Sequence, residues 1–146
     1  MQFDPNNNVI KLCAEGMTKE ADQKLDEAQE LFLQAWNEAA NDFEKFTAAH
    51  YVARHQKSVQ DKLRWDEMAL AFALKIPDSN MQASYPSLYL NIAKCHEDLR
   101  DISNAQKNYE IAFSYADHLP DNNYGEIIKS GIKNGLERLS KLKLQS

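Results

Sequence analysis

The side chains best suited to chemistry gather in one stretch, His50-Tyr-Val-Ala-Arg-His-Gln56. His50 and Arg54 stand four residues apart, so on a helix they share a face, while His55 points about 100° away. Such a pair suits an anion or an acidic peptide, because the planar guanidinium of Arg54 offers two parallel donors to a carboxylate or phosphate. The ordinary alternative is a solvated face, with His50 hydrogen-bonded to a neighbouring helix. No metal site is expected. His50 and His55 cannot share one face, Cys95 and His96 are adjacent, and no Cys-x2-Cys completes a ligand set. Cys13 could serve as a nucleophile if His50 faced it, but an inert buried thiol is the plainer expectation. The four glycines, Gly16, Gly125, Gly131 and Gly135, stand apart, and no phosphate-cradling loop or Gly-x-Ser-x-Gly occurs. The expectation is a protein without enzymatic activity, metal or cofactor.

The elements that must position these residues are helical. The chain has 146 residues, with four glycines and four prolines, too few for a fold rich in tight turns. That length predicts a single domain spanning residues 1–146. Seventeen Lys+Arg against 22 Asp+Glu leave a net charge of −5, which disfavours a nucleic-acid binder. The longest apolar run, Met68 to Leu74, is too short to span a membrane, so no membrane association is expected. No secretory signal is visible, and two widely separated cysteines fit a reduced, cytoplasmic setting.

Ala28, Leu31, Phe32, Ala35, Trp36 and Ala39 recur at helical spacing along one face. Trp65, Met68, Ala69, Phe72, Ala73 and Ile76 repeat the pattern, as do Ala105, Asn108, Tyr109, Ala112, Phe113 and Ala116, so the chain carries an internal repeat. Small and large residues alternate in the same order in the first and third copies. In the second the order inverts, or the register slips by one residue. Capping patterns at Ser58, Ser79, Asp101 and Asn123 divide the chain into seven helices, at about 8–22, 25–40, 43–56, 59–76, 80–99, 102–117 and 124–143. Pro86 either kinks the fifth helix or marks its true start.

These residues resemble the tetratricopeptide-repeat family, which pairs a helix A with a helix B carrying Ala-x3-Phe-x2-Ala. Tyr89, Ile92, Ala93 and His96 stand in the helix A slots of the third unit, with Ala105, Tyr109 and Ala112 in helix B. Leu12, Gly16, Ala28, Phe32 and Ala35 match in the first unit. The second is degenerate, with Ala53 at the small slot and Trp65 where Ala is usual. The segments Cys13-Ala-Glu-Gly16, His50 to Gln56 and Tyr85-Pro-Ser-Leu88 also resemble small, stand-alone bacterial proteins of this kind. The resemblance implies an all-α right-handed solenoid of three helix pairs, at about 8–40, 42–76 and 80–117, closed by a capping helix.

In such a solenoid helix A lines a concave groove. Projected onto it, Cys13 and Met17, then His50, Arg54 and Lys57, then Leu90, Lys94 and Glu97 face inward. His50, Arg54 and Lys94 are the expected polar contacts, with Met17 and Leu90 offering apolar area to a protein or peptide partner. A carboxylate clamp of the kind found in chaperone adaptors of the family is not expected, since Cys13, Met17 and Ser87 replace its polar residues. The alternative use of the groove is a small-molecule-responsive sensor. The last helix carries Lys129, Lys133, Arg138, Lys141 and Lys143 against Glu126 and Glu137. Its basic back is either solvated or a docking face for an acidic partner or a second copy of the chain.

Overall fold

A computed structural model of the chain describes Asp4 and residues 6–145. The described residues form seven α-helices and two short 3-10 turns, with no strand. They divide into two compact units, Met1–Asp78 and Ser79–Ser146.

The first unit holds four helices, α1 (Asn8–Ala21), α2 (Leu25–Glu38), α3 (Asp42–Ala53) and α4 (Val59–Leu74). Their starts are set by polar side chains that satisfy free backbone N–H groups. Asn7 accepts from Val9 and Ile10 at 2.8 and 3.1 Å, Asn41 from Glu44 at 2.8 Å, and Ser58 from Asp61 at 3.1 Å. α1 packs along α2, and α3 along α4. The core forms where the repeated face of α2 buries Ala28, Phe32 and Ala35. Phe32 can lie flat on α1 because Gly16 has no side chain; a Cβ there would sit 2.3 Å from the ring.

In α4 the buried positions are Asp66, Ala69 and Ala73, with Trp65 and Phe72 half-buried beside them. Asp66 is 1% exposed and accepts from Lys62 Nζ at 2.6 Å, a buried charge that an i,i+4 partner makes tolerable. Trp65 and Phe72 reach sideways to Trp36, with ring centroids 5.1 and 6.0 Å away.

The second unit begins with a 3-10 turn, Ser79–Ala83, followed by α5 (Tyr85–Asp98), α6 (Ile102–Ser114), a second 3-10 turn at Ala116–His118 and α7 (Asn123–Leu144). The long helix expected over 80–99 is thus broken. Pro86 sits in the first turn of α5, where its missing N–H loses nothing, and Ser79 starts a 3-10 turn in place of capping an α-helix. The sixth helix is shorter than the periodicity predicts, because Tyr115 ends it and the chain tightens to 3-10. Asp101 caps α6 as expected, accepting from Asn104 at 3.3 Å. The cap of α7 is Asn122, one residue before the expected Asn123, and it accepts from Gly125 at 3.0 Å. Asn122→Ala is expected to cost about 1 kcal/mol, read as a lowered midpoint in urea.

A constant offset relates Glu20 to Glu97, Gln23 to Arg100, Ala28 to Ala105, Phe32 to Tyr109 and Ala35 to Ala112. The turns obey it too. Gln23 and Arg100 both adopt φ 64°, the only non-glycine residues with positive φ among those described. Around Gln23, Lys24 donates to the Lys19 carbonyl at 2.8 Å and Gln23 to Glu20 at 3.0 Å. Asp101 and Arg100 repeat both bonds to His96 and Glu97. This is the Schellman closure, and its two bonds offset the cost of about 1 kcal/mol for a side chain in that region.

Candidate functional site

In the first unit α1 and α3 lie beside each other, tied at their starts by Asn7 Nδ2, which donates to Glu44 Oε2 at 2.8 Å. Between them opens a cleft of about 170 Å³, lined by Ile10, Cys13, Ala14 and Met17 of α1 and by Thr47 and Tyr51 of α3. Its lining is apolar even where the residue type is not. Thr47 spends its hydroxyl on the Phe43 carbonyl at 2.8 Å, and burial pushes the Cys13 thiol up to about 12. Met17 is 41% exposed at the mouth, and the Tyr51 ring stacks on Phe32 at 5.1 Å.

One end of the cleft carries charge. The Arg54 guanidinium lies over the Tyr51 ring, 5.6 Å from its centroid, and pairs through Nε with Glu20 Oε2 at 3.2 Å. His55 Nε2 meets the same Glu20 oxygen at 2.5 Å. Glu20 is mostly buried, so it draws both basic groups onto α1 and leaves Arg54 half-exposed with one carboxylate already bound.

The face of α3 presented to α1 is therefore turned by one residue from the projection. Tyr51 and Thr47, not His50, stand opposite Cys13 and Met17. His50 is half-buried, its Nδ1 sealed from solvent without a hydrogen-bond partner. Burial, then the nearby charges of Arg54 and Lys62, push its pKa down to about 4. α3 ends at Ala53, so Arg54 is its C-cap and Lys57 lies in the connection to α4, exposed. Cys13 lies as the plainer expectation has it, a buried thiol 2% exposed whose pKa burial raises, and not as a thiol activated by His50.

The other named residues lie in the second unit. Lys94 is half-exposed and pairs with Asp98 at 2.5 Å, one turn on. Leu90 is half-buried and packs under α7, in the cluster of Ala93, Ala105, Tyr109 and Leu139, so its apolar area is already largely used. Glu97 accepts from the Tyr109 hydroxyl at 2.7 Å and from Arg138 at 2.8 and 3.0 Å, a fork that holds its carboxyl below the usual range. It is the counterpart of Glu20: in each unit a mostly buried glutamate of the first helix binds two side chains of later elements, Arg54 and His55 at Glu20, Tyr109 and Arg138 at Glu97.

The architecture of paired helices matches a solved structure. The crystal structure of PcrH in complex with the chaperone binding region of PopD superposes with a TM-score of 0.61, over 92% of this chain and 92% of that one, at 17% sequence identity. The likeness shows the fold. It is all-α and of the helical-repeat kind that the tetratricopeptide-like pattern predicts. No family model matches the sequence, and no curated protein matches it. Among the described residues no helix is long and apolar enough to cross a membrane, and no group of three or more His, Cys, Asp or Glu could hold a metal ion.

Ile10, Ala14, Thr47 and Tyr51 join the cleft without having been singled out from the sequence. Tyr51 had a signal. It stands four residues after Thr47, and an aromatic beside His50 at helical spacing from a small residue is as good a groove candidate as a basic one.

Proposed function

We propose that the chain is a non-catalytic module that binds a segment of a partner protein, seating an apolar side chain of that segment in the α1–α3 cleft. The observation that carries the reading is the cleft itself: an apolar slot between two first-of-pair helices, with no available nucleophile or base in it. The likeness to PcrH, solved with a region of PopD bound, supports a peptide as occupant. A volume of about 170 Å³ suits one large side chain better than a whole metabolite, since small-molecule pockets run to roughly 300–1,000 Å³.

Arg54 stands at the end of the slot and selects for charge. Because Glu20 already neutralises part of it, a carboxylate on the partner adds discrimination more than affinity. His50 lies behind the wall with its ring against Tyr51, 5.4 Å between centroids, and Lys94, paired with Asp98, contributes weakly at the rim.

The test is capture from a lysate of the source organism, with mass spectrometry of what is retained by wild type, Met17→Asp and Arg54→Ala at low and high salt. Met17 is exposed enough that the charge disturbs the slot without unfolding the unit, which a thermal melt checks. Met17→Asp is expected to lose at least nine-tenths of the specifically retained protein. Arg54→Ala is expected to lose less, and mainly at low salt. Equal retention by wild type and Met17→Asp would remove the cleft from the reading.

A further inference from the structure

The second unit has a larger opening that the binding reading leaves unused. α6 and α7 diverge around a cleft of about 760 Å³ whose floor is Ile132 and Leu136 and whose rim carries Phe113. Phe113 is 65% exposed, whereas Tyr109 one turn before it on the same helix is fully buried. Four charged side chains border the same opening, Lys129 and Lys133 with Asp117 and Glu137. None of the four makes an ion pair or hydrogen bond among the described residues.

We infer that a second copy of this chain covers this cleft, Phe113 of each protomer entering the cleft of the other across a two-fold axis. The patch holds a protruding ring and a hole with room for more than that ring, and it holds both signs of charge in equal number. A surface that pairs with itself needs those properties together, because every group must find its complement on an identical surface. An acidic partner would leave Asp117 and Glu137 opposed by like charge, and a basic one would do the same to the lysines. A second copy opposes each lysine pair with the acidic pair, and buries two Phe113 rings that are otherwise in water.

Sedimentation velocity over a wide concentration range tests this. Wild type is expected to sediment at twice the chain mass at high concentration and to dissociate on dilution. Phe113→Asp is expected to remain at the chain mass throughout, with its helical circular dichroism unchanged because the ring is exposed. Lys129→Glu and Glu137→Lys are each expected to weaken the dimer at least tenfold, and the double variant to recover most of that loss. A wild type that stays monomeric at every concentration overturns the inference, as does a dimer indifferent to Phe113→Asp. A monomeric wild type that loses a captured protein on Phe113→Asp overturns it too, and assigns the cleft to another protein. None of these outcomes depends on Met17 or the α1–α3 cleft.

Discussion

Gly135→Ala is expected to destabilise the protein by about 2 kcal/mol, while Gly131→Ala, one turn earlier on the same helix, leaves it unchanged or slightly more stable. Both substitutions gain helix propensity, worth about 1 kcal/mol each. They differ in what the new methyl meets. At Gly135 a Cβ would lie 2.3 Å from two carbons of the Tyr109 ring. That ring is fully buried, and its hydroxyl is bound to Glu97 at 2.7 Å and to Arg138 at 3.3 Å, so it cannot retreat without breaking the fork. At Gly131 the nearest atom is a terminal methyl of Leu90 at 3.0 Å, which a small rotation moves. Urea denaturation of both variants would measure the difference. Combining Gly135→Ala with Tyr109→Leu should cost less than the two single losses added, since removing the ring removes the clash. Two alanine variants with the same midpoint would mean that α7 shifts freely on α6.

Acid is expected to weaken the first unit through His50 before it reaches any carboxylate. The folded pKa of His50, about 4, lies below the ordinary value of 6.5 because its ring is desolvated and faces Arg54 and Lys62. The unfolded chain therefore binds the proton more readily than the native one. Stability falls as pH drops through about 6.5 and stops falling on this account below about 4. At about 1.4 kcal/mol per unit, reduced for the part of the ring that water reaches, the loss is about 2 kcal/mol. Glu97 adds a separate loss with the usual carboxylate sign. Its pKa is lowered, first by the Arg138 hydrogen bonds, so its contribution is present above the ordinary glutamate value and disappears as pH falls toward the lowered one. Urea midpoints of wild type and His50→Gln between about pH 7 and 4.5 separate the two. The variant should lose the slope above pH 5 and keep the one below it. Parallel profiles would show that His50 accepts its proton without cost in the folded state.

Helix placement was legible because apolar residues recur with the 3.6-residue period and because Asn, Ser and Asp mark helix starts chemically. Pro86 announced a break, and the break is where α5 begins. What the periodicity could not convey was the pairing of charges. Lys94 and Asp98 are four apart, and their ion pair could have been read directly. The Glu20–Arg54 and Glu97–Arg138 pairs join residues distant along the chain, and a glutamate buried for such a purpose looks in sequence like one facing water. Asp66 escapes the pattern for a related reason: it stands between Trp65 and Glu67, just before the apolar run Met68 to Leu74, where a carboxylate reads as the polar edge of the face and not as part of it. The one-residue rotation of α3 follows from its composition: Thr47, Ala48, Ala49, Val52 and Ala53 are all buried, so apolar residues surround much of the helix and leave no single stripe to set the register.

The connections have a kinetic meaning. Each helix pair is closed by a few residues, 22–24, 54–58 and 99–101, and the partners joined this way make the densest packing in the chain. Closing such short loops costs little chain entropy, and each hairpin recovers its own burial as soon as it forms. A chain connected in this manner has low contact order and is expected to fold in microseconds to milliseconds, pair by pair, with no slow search for distant segments. The turns at Gln23 and Arg100 then act early, setting the rate at which the first and third hairpins appear as well as the stability they end with.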